Sequence, residues 1–144
     1  MSRPQRTTIS GTFFVTAITA NRRRIFQREA NALLFIKTLQ QYRSQNLYKL
    51  YAFVVMPDHV HLLLTTEDLP RAMKHIRGGF SFKLATPMEV WQKGYADHRI
   101  LNREEFESRR GYIHQNPVRA YLVNSAEDYP YSSAFRSPVS ISSE

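Results

Sequence analysis

Two β-rich runs, 48–56 and 59–65, stand on either side of the dipeptide Pro57-Asp58. Proline presets one turn dihedral and aspartate can bond its own backbone, so a tight turn joins the runs into a hairpin. A lone hairpin is marginal in water, so this one has to find further strands and helices. Residues 11–19 supply a strand, with Phe13, Val15 and Ala17 alternating against polar or edge positions. That strand runs into Asn21-Arg22-Arg23-Arg24. From 29 to 46, Ala32, Phe35, Ile36, Leu39 and Tyr42 recur at the three-and-four spacing of a helix with one buried stripe. Asp68 caps a second helix with Pro70 in its first turn, and Leu69, Met73, Ile76, Phe80 and Leu84 form its stripe. Gly78-Gly79 inside it costs roughly 1 kcal/mol per residue against alanine, which signals a bend or a close approach. Residues 90–95 read as a short strand. Asn102 with Glu105 has the form of a capping box opening a third helix, expected to stop near Asn116 because Pro117 disfavours the α conformation before it.

Strand, helix, strand, strand, helix, strand is the split arrangement of an α+β, ferredoxin-like or RRM-like sandwich. Its antiparallel sheet has helices on one face, a second face free to carry a site, and a third helix left over. The 144 residues are expected to form one domain with a core at about 10–136 and loose ends. Twenty Lys and Arg against twelve Asp and Glu give a net charge of +8, which points to a polyanionic partner, nucleic acid first. No apolar run approaches the ~18 residues of a spanning helix. The basic start, Met1 to Arg6, is not followed by a signal-peptide core, so a cytoplasmic protein without membrane contact is expected. With no cysteine, thiolate metal sites, disulfides and cysteine nucleophiles are all excluded. Any metal has to bind through His, carboxylate, amide or water.

His59 and His61 are two residues apart at the start of an apolar strand, so both project from one face while Val60, Leu62 and Leu64 face the other way. Two imidazoles ~7 Å apart along a strand can converge on one ion. Taken alone, the pair reads first as two half-buried histidines bonded to backbone or carboxylate, and becomes informative only with a nucleophile and a third ligand. On the third helix Tyr112 and Asn116 are four apart and share a face. An amide oxygen is an acceptable ligand for Mg²⁺ or Mn²⁺ beside imidazoles, although a tyrosine ring at helical spacing also suits a core.

The frame Met56-Pro57-Asp58-His59-Val60-His61-Leu62-Leu63, then Val90-Trp91-Gln92, Tyr112-Ile113 with Asn116-Pro117-Val118-Arg119-Ala120, and Tyr129-Pro130-Tyr131-Ser132-Ser133 closely resembles the REP-associated tyrosine transposases. These belong to the HUH single-tyrosine superfamily that acts on single-stranded DNA. The resemblance covers roughly 13–134. It implies a metal-dependent enzyme, using Mg²⁺ or Mn²⁺, that cuts and rejoins single-stranded DNA at hairpins through a 5′-phosphotyrosine. His59, His61 and Asn116 match its metal ligands and Tyr112 its nucleophile. It also implies a monomer, with a dimer that exchanges tyrosine helices as the alternative. Asp58 stands where the family commonly has Asn, Tyr121 where it has Gly, and Tyr131 where Trp is frequent.

Candidate phosphate contacts are Arg22, Arg23 and Arg24 after the first strand, Lys74 and Arg77 on the second helix, and Arg109, Arg110 and Arg119 around Tyr112. Trp91, Tyr95 and Phe82 are candidates for stacking on unpaired bases, Trp91 being the one best suited to a core instead. His114, two residues after Tyr112, is expected to point away from its face. The rival reading is a hairpin DNA- or RNA-binding protein without catalysis, for which retention of His59, His61, Tyr112 and Asn116 together would not be needed.

Overall fold

A computed structural model describes residues 9–136 and 141–142. In chain order the elements are β1 Gly11–Ile18, α1 Glu29–Ser44, β2 Lys49–Met56, β3 His59–Thr66, α2 Leu69–Leu84, β4 Ala96–Arg99 and α3 Arg103–Arg119. The sheet is antiparallel with strand order β2-β3-β1-β4, the α+β sandwich expected from the element order. β3 is central and pairs along its length with β1, Thr16 opposite His61 and Ile18 opposite His59.

One face of the sheet carries Phe13, Val15, Phe53, Val55, Val60, Leu62 and Leu64, all buried beneath α1 and α2. Phe26, Phe35, Phe80 and Trp91 form an aromatic knot in that layer, their ring centroids 5.2–5.9 Å apart. Trp91 is therefore core, and its indole N–H donates to the Arg77 carbonyl at 3.1 Å. Asp68 caps α2 by accepting from the Arg71 N–H. The double glycine does not break α2. A side chain at Gly79 would collide with the Tyr42 ring of α1, so the glycine is what lets the two helices pack closely.

The opposite face is not left open. Phe14, Ala52, Val54, Met56 and Leu63 pack under Phe106 and Ile113 of α3 and under Tyr129. Residues 131–133 run beside β2, whose Val55 N–H donates to the Tyr131 carbonyl at 2.8 Å, which covers an edge otherwise open to pairing.

Three expectations need correction. The fourth strand is 96–99, not 90–95. Val90 and Trp91 are buried and make only isolated bonds to the end of β1, and the chain turns at Gly94, where φ is +75°, before the ladder forms. Ala-Asp-His-Arg is exposed throughout, so no apolar alternation marks it. α3 does not stop at Asn116, because Pro117 is buried within its last turn. Proline removes one donor near a helix end, where the Ala120 N–H still reaches Asn116 and the Leu122 N–H reaches Pro117. The helix runs instead to Arg119, with Ala120 as its cap, and the next residue, Tyr121, is in the left-handed region at φ +60°, the position where the resembling family carries glycine. Finally, the tail was expected to fray from 137 onward. Most of that segment and the first eight residues lie outside the described residues, but Ser142 is docked, its N–H donating to the Leu50 carbonyl at 2.7 Å. No helix among the described residues is long and apolar enough to cross a membrane.

Candidate active site

The strand period does put His59 and His61 on one face, the face covered by α3. Their ring centroids are 4.8 Å apart at near right angles. Each imidazole is held through Nδ1. His59 Nδ1 bonds Asp58 Oδ1 at 2.7 Å, and His61 Nδ1 bonds the Thr16 hydroxyl of β1 at 2.8 Å. Both Nε2 atoms are left without a hydrogen-bond partner among the described residues. A metal-ligating histidine is normally oriented in this way, one nitrogen tied and the other presented. Burial, then the charges of His59, Arg109 and Arg119, push the His61 imidazole down to about 3, so it is neutral near pH 7 as a ligand must be. Burial opposes ionisation of Asp58, yet the bonds and charges of His59 and Arg22 outweigh it and hold the carboxyl below its ordinary value.

α3 brings Tyr112 to the same place. Its ring meets His61 edge-on at 5.5 Å and Phe14 edge-on at 5.8 Å, while Phe14 stacks on His61 at 5.2 Å. The tyrosine is 39% exposed, open to solvent and to a substrate. The Arg119 guanidinium lies 4.4 Å over the Tyr112 ring and donates to the Tyr112 carbonyl at 3.0 Å. The Arg109 guanidinium lies 4.6 Å over Phe14. Two cations thus stand beside the cluster of Tyr112, Phe14 and His61. Asn116 is half-buried one turn beyond Tyr112, its side chain without a hydrogen bond among the described residues.

No three His, Cys, Asp or Glu side chains converge among the described residues. A divalent ion at this point would have the two imidazole nitrogens of His59 and His61 to bind; Asn116, whose amide oxygen the resemblance implies as the third ligand, stands one turn beyond Tyr112 on α3. Such a mixed nitrogen and oxygen set suits Mg²⁺ or Mn²⁺ in a protein without cysteine.

The family model described as "Transposase IS200 like" matches residues 10–116. The chain belongs to the IS200-like transposase family. A curated relative, the REP-associated tyrosine transposase of Escherichia coli (strain K12), is 27% identical over 130 residues, which is 88% of this chain and 78% of the relative. A solved REP-associated tyrosine transposase bound to a REP hairpin superposes with a TM-score of 0.80 at 26% identity, over 94% of this chain and 84% of that one. A protein of Deinococcus radiodurans shares the fold at a TM-score of 0.55 and 22% identity, covering 80% of this chain and 97% of that one.

Among the candidate phosphate contacts of this IS200-like chain, Arg109 and Arg119 adjoin Tyr112. Arg24 and Lys74 are exposed and their side chains have no partner among the described residues. Others are engaged within the protein. Arg22 pairs with Asp58 at 3.3 Å, Arg23 donates to the Glu89 carbonyl, and Arg110 pairs with Glu107 at 2.8 Å. Arg77 donates to the carbonyls of Gln92 and Gly94 and lies 5.4 Å from the Tyr95 ring. Lys74, Arg77, Lys93 and Tyr95 line a cleft of about 490 Å³ between α2 and the segment before β4. Phe82 is 85% exposed and free to stack.

Sequence reasoning missed Thr16, Phe14 and the part played by His114. Thr16 is a polar residue in a buried strand, but only the register with β3 shows that it meets His61. His114 does point away from Tyr112, and its Nε2 meets the Ser133 hydroxyl at 2.9 Å, tying α3 to the segment beside β2.

Proposed function

We propose that the protein cuts and rejoins single-stranded DNA beside hairpins, with Tyr112 as nucleophile. The observation that carries this reading is the Tyr112 phenol seated edge-on against His61, beside a second imidazole with a free Nε2, under the Arg119 guanidinium and next to Phe14, which carries Arg109. A binding surface needs none of that convergence. The Tyr112 oxygen attacks a backbone phosphorus and its proton passes to solvent. The phosphorus–oxygen bond on the 3′ side breaks, leaving a 5′-phosphotyrosine and a 3′-hydroxyl that takes up a proton. Attack by another strand's 3′-hydroxyl reverses the step and restores the tyrosine, so joining needs no external energy source. His59, His61 and Asn116 would hold a divalent cation, which supplies charge neutralisation at a nonbridging phosphate oxygen. Thr16 and Asp58 keep the two imidazoles turned toward that position. Arg109 and Arg119 bind the scissile phosphate from either side, and Arg24 and Lys74 contact the flanking backbone. The similarity to a transposase solved on a REP hairpin supports a hairpin as the DNA feature recognised.

The test is incubation of purified protein with a labelled hairpin oligonucleotide carrying single-stranded flanks, in Mn²⁺, followed by a denaturing gel. A covalent protein–DNA adduct is expected, absent in Tyr112→Phe. Binding of the hairpin with no adduct and no nicking would replace this reading with that of a hairpin-binding protein.

A further inference from the structure

The basic loop after β1 is strapped to the turn that carries Asp58. The Thr19 N–H donates to the Asp58 carbonyl at 3.0 Å and the Phe26 N–H to the Pro57 carbonyl at 3.1 Å, while Thr19 itself is fully buried. Within the loop, Asn21 and Arg22 are both left-handed, at φ +55° and +50°, a conformation disfavoured for residues with a Cβ. What the strained turn achieves is to bring the Arg22 guanidinium back onto Asp58. The two carboxylate oxygens are then divided, Oδ1 to His59 Nδ1 at 2.7 Å and Oδ2 to Arg22 at 3.3 Å. Arg22 is 61% exposed and has no other side-chain bond among the described residues, so it is the partner of the three that a ligand in solvent can reach.

We propose that Asp58 is a positioning residue that couples the basic loop to His59, so that a DNA phosphate drawing Arg22 away tightens the hold of His59 on its cation. This rests on the reading of His59 as a metal ligand. A carboxylate on Nδ1 raises the donor strength of Nε2, and it does so more fully when no guanidinium shares its charge. Occupancy of the DNA surface and of the cation position then favour each other, and the linkage is reciprocal.

The experiment is calorimetric titration of Mn²⁺ into metal-free protein without DNA, for the wild type, Asp58→Asn, Arg22→Ala and the double variant. Asn keeps an oxygen acceptor for His59 and removes only the charge. Asp58→Asn is expected to weaken Mn²⁺ binding about tenfold with an unchanged melting temperature. Arg22→Ala is expected to strengthen it about threefold, as loss of an exposed ion pair allows. In the double variant Arg22→Ala should add nothing, because the carboxylate that transmits the effect is gone. Tightening of the same size in the Asp58→Asn background would show plain cation repulsion and overturn the proposal. So would unchanged affinity in Asp58→Asn. Mn²⁺ binding that survives His59→Ala intact would overturn the metal reading, and this proposal with it.

Discussion

The two faces of the sheet are built from alternate residues of the same strands, yet they do different work. The face under α1 and α2 is predominantly apolar, with Phe35, Phe80 and Leu62 fully buried. The face under α3 mixes Phe14, Val54 and Leu63 with Thr16, His59 and His61. Burial on the first face carries few polar obligations, among them the Trp91 indole and the Tyr48 hydroxyl, each bonded to a carbonyl, and supplies most of the hydrophobic stabilisation. The second face holds one buried imidazole, His61, and one half-buried, His59, tolerated because each has a partner, and it gives up apolar area to do so. A strand can therefore be a structural element on one side and a reactive one on the other, provided the partner of each polar group is specified.

Substitutions should separate the faces. Phe35→Ala, in the aromatic knot, is expected to cost about 3–5 kcal/mol in urea denaturation while leaving adduct formation per folded molecule within about twofold. A large loss of activity at full folding would break the division of labour. On the other face, His61 makes stability depend on pH in the metal-free protein. Its folded-state affinity for a proton is far below that of the unfolded chain, so above about pH 6.5 both states are neutral and nothing is lost. As pH falls through the window from about 6.5 toward 3 the unfolded state takes up the proton first, and roughly 3 kcal/mol should be gone by pH 4.5. His61→Gln should flatten that stretch of the stability profile measured by urea midpoints. Thr16→Val removes the bond that holds His61 and is expected to slow adduct formation about tenfold with less than about 1 kcal/mol lost in stability. An unchanged rate would mean that His61 is oriented by Phe14 alone. The smallest effect should come at the end of α3, where Tyr121→Gly is expected to gain about 0.5–1 kcal/mol in a thermal melt by relieving the left-handed backbone.

Much of the fold was legible because local periodicity and local caps drove it. Alternation in β1, β2 and β3, the three-and-four stripes of α1 and α2, and the caps at Asp68 and Asn102 all survive in the structure, with the Asn102 side chain accepting from the Glu105 N–H at 2.9 Å. Glu105 did not complete the box in the expected way. Its carboxylate goes to His98 at 2.9 Å and to the Leu101 N–H at 3.4 Å. β4 was misplaced because a short, exposed edge strand has no buried face to print a pattern on the sequence. Its ladder exists only because β1 offers a free edge.

Two sequence intervals, His59 to His61 and Tyr112 to Asn116, settled by themselves which side chains share a face, since backbone period is a property of a few consecutive residues. Where those faces meet was decided by packing between residues far apart in the chain. Ile113 and Phe106 dock α3 on the second face, the β1–β3 register sets Thr16 against His61, and Arg119 folds back over Tyr112. Register and helix docking come from contacts that no local pattern encodes, so the chemistry of each half could be read in one dimension and their meeting only in three.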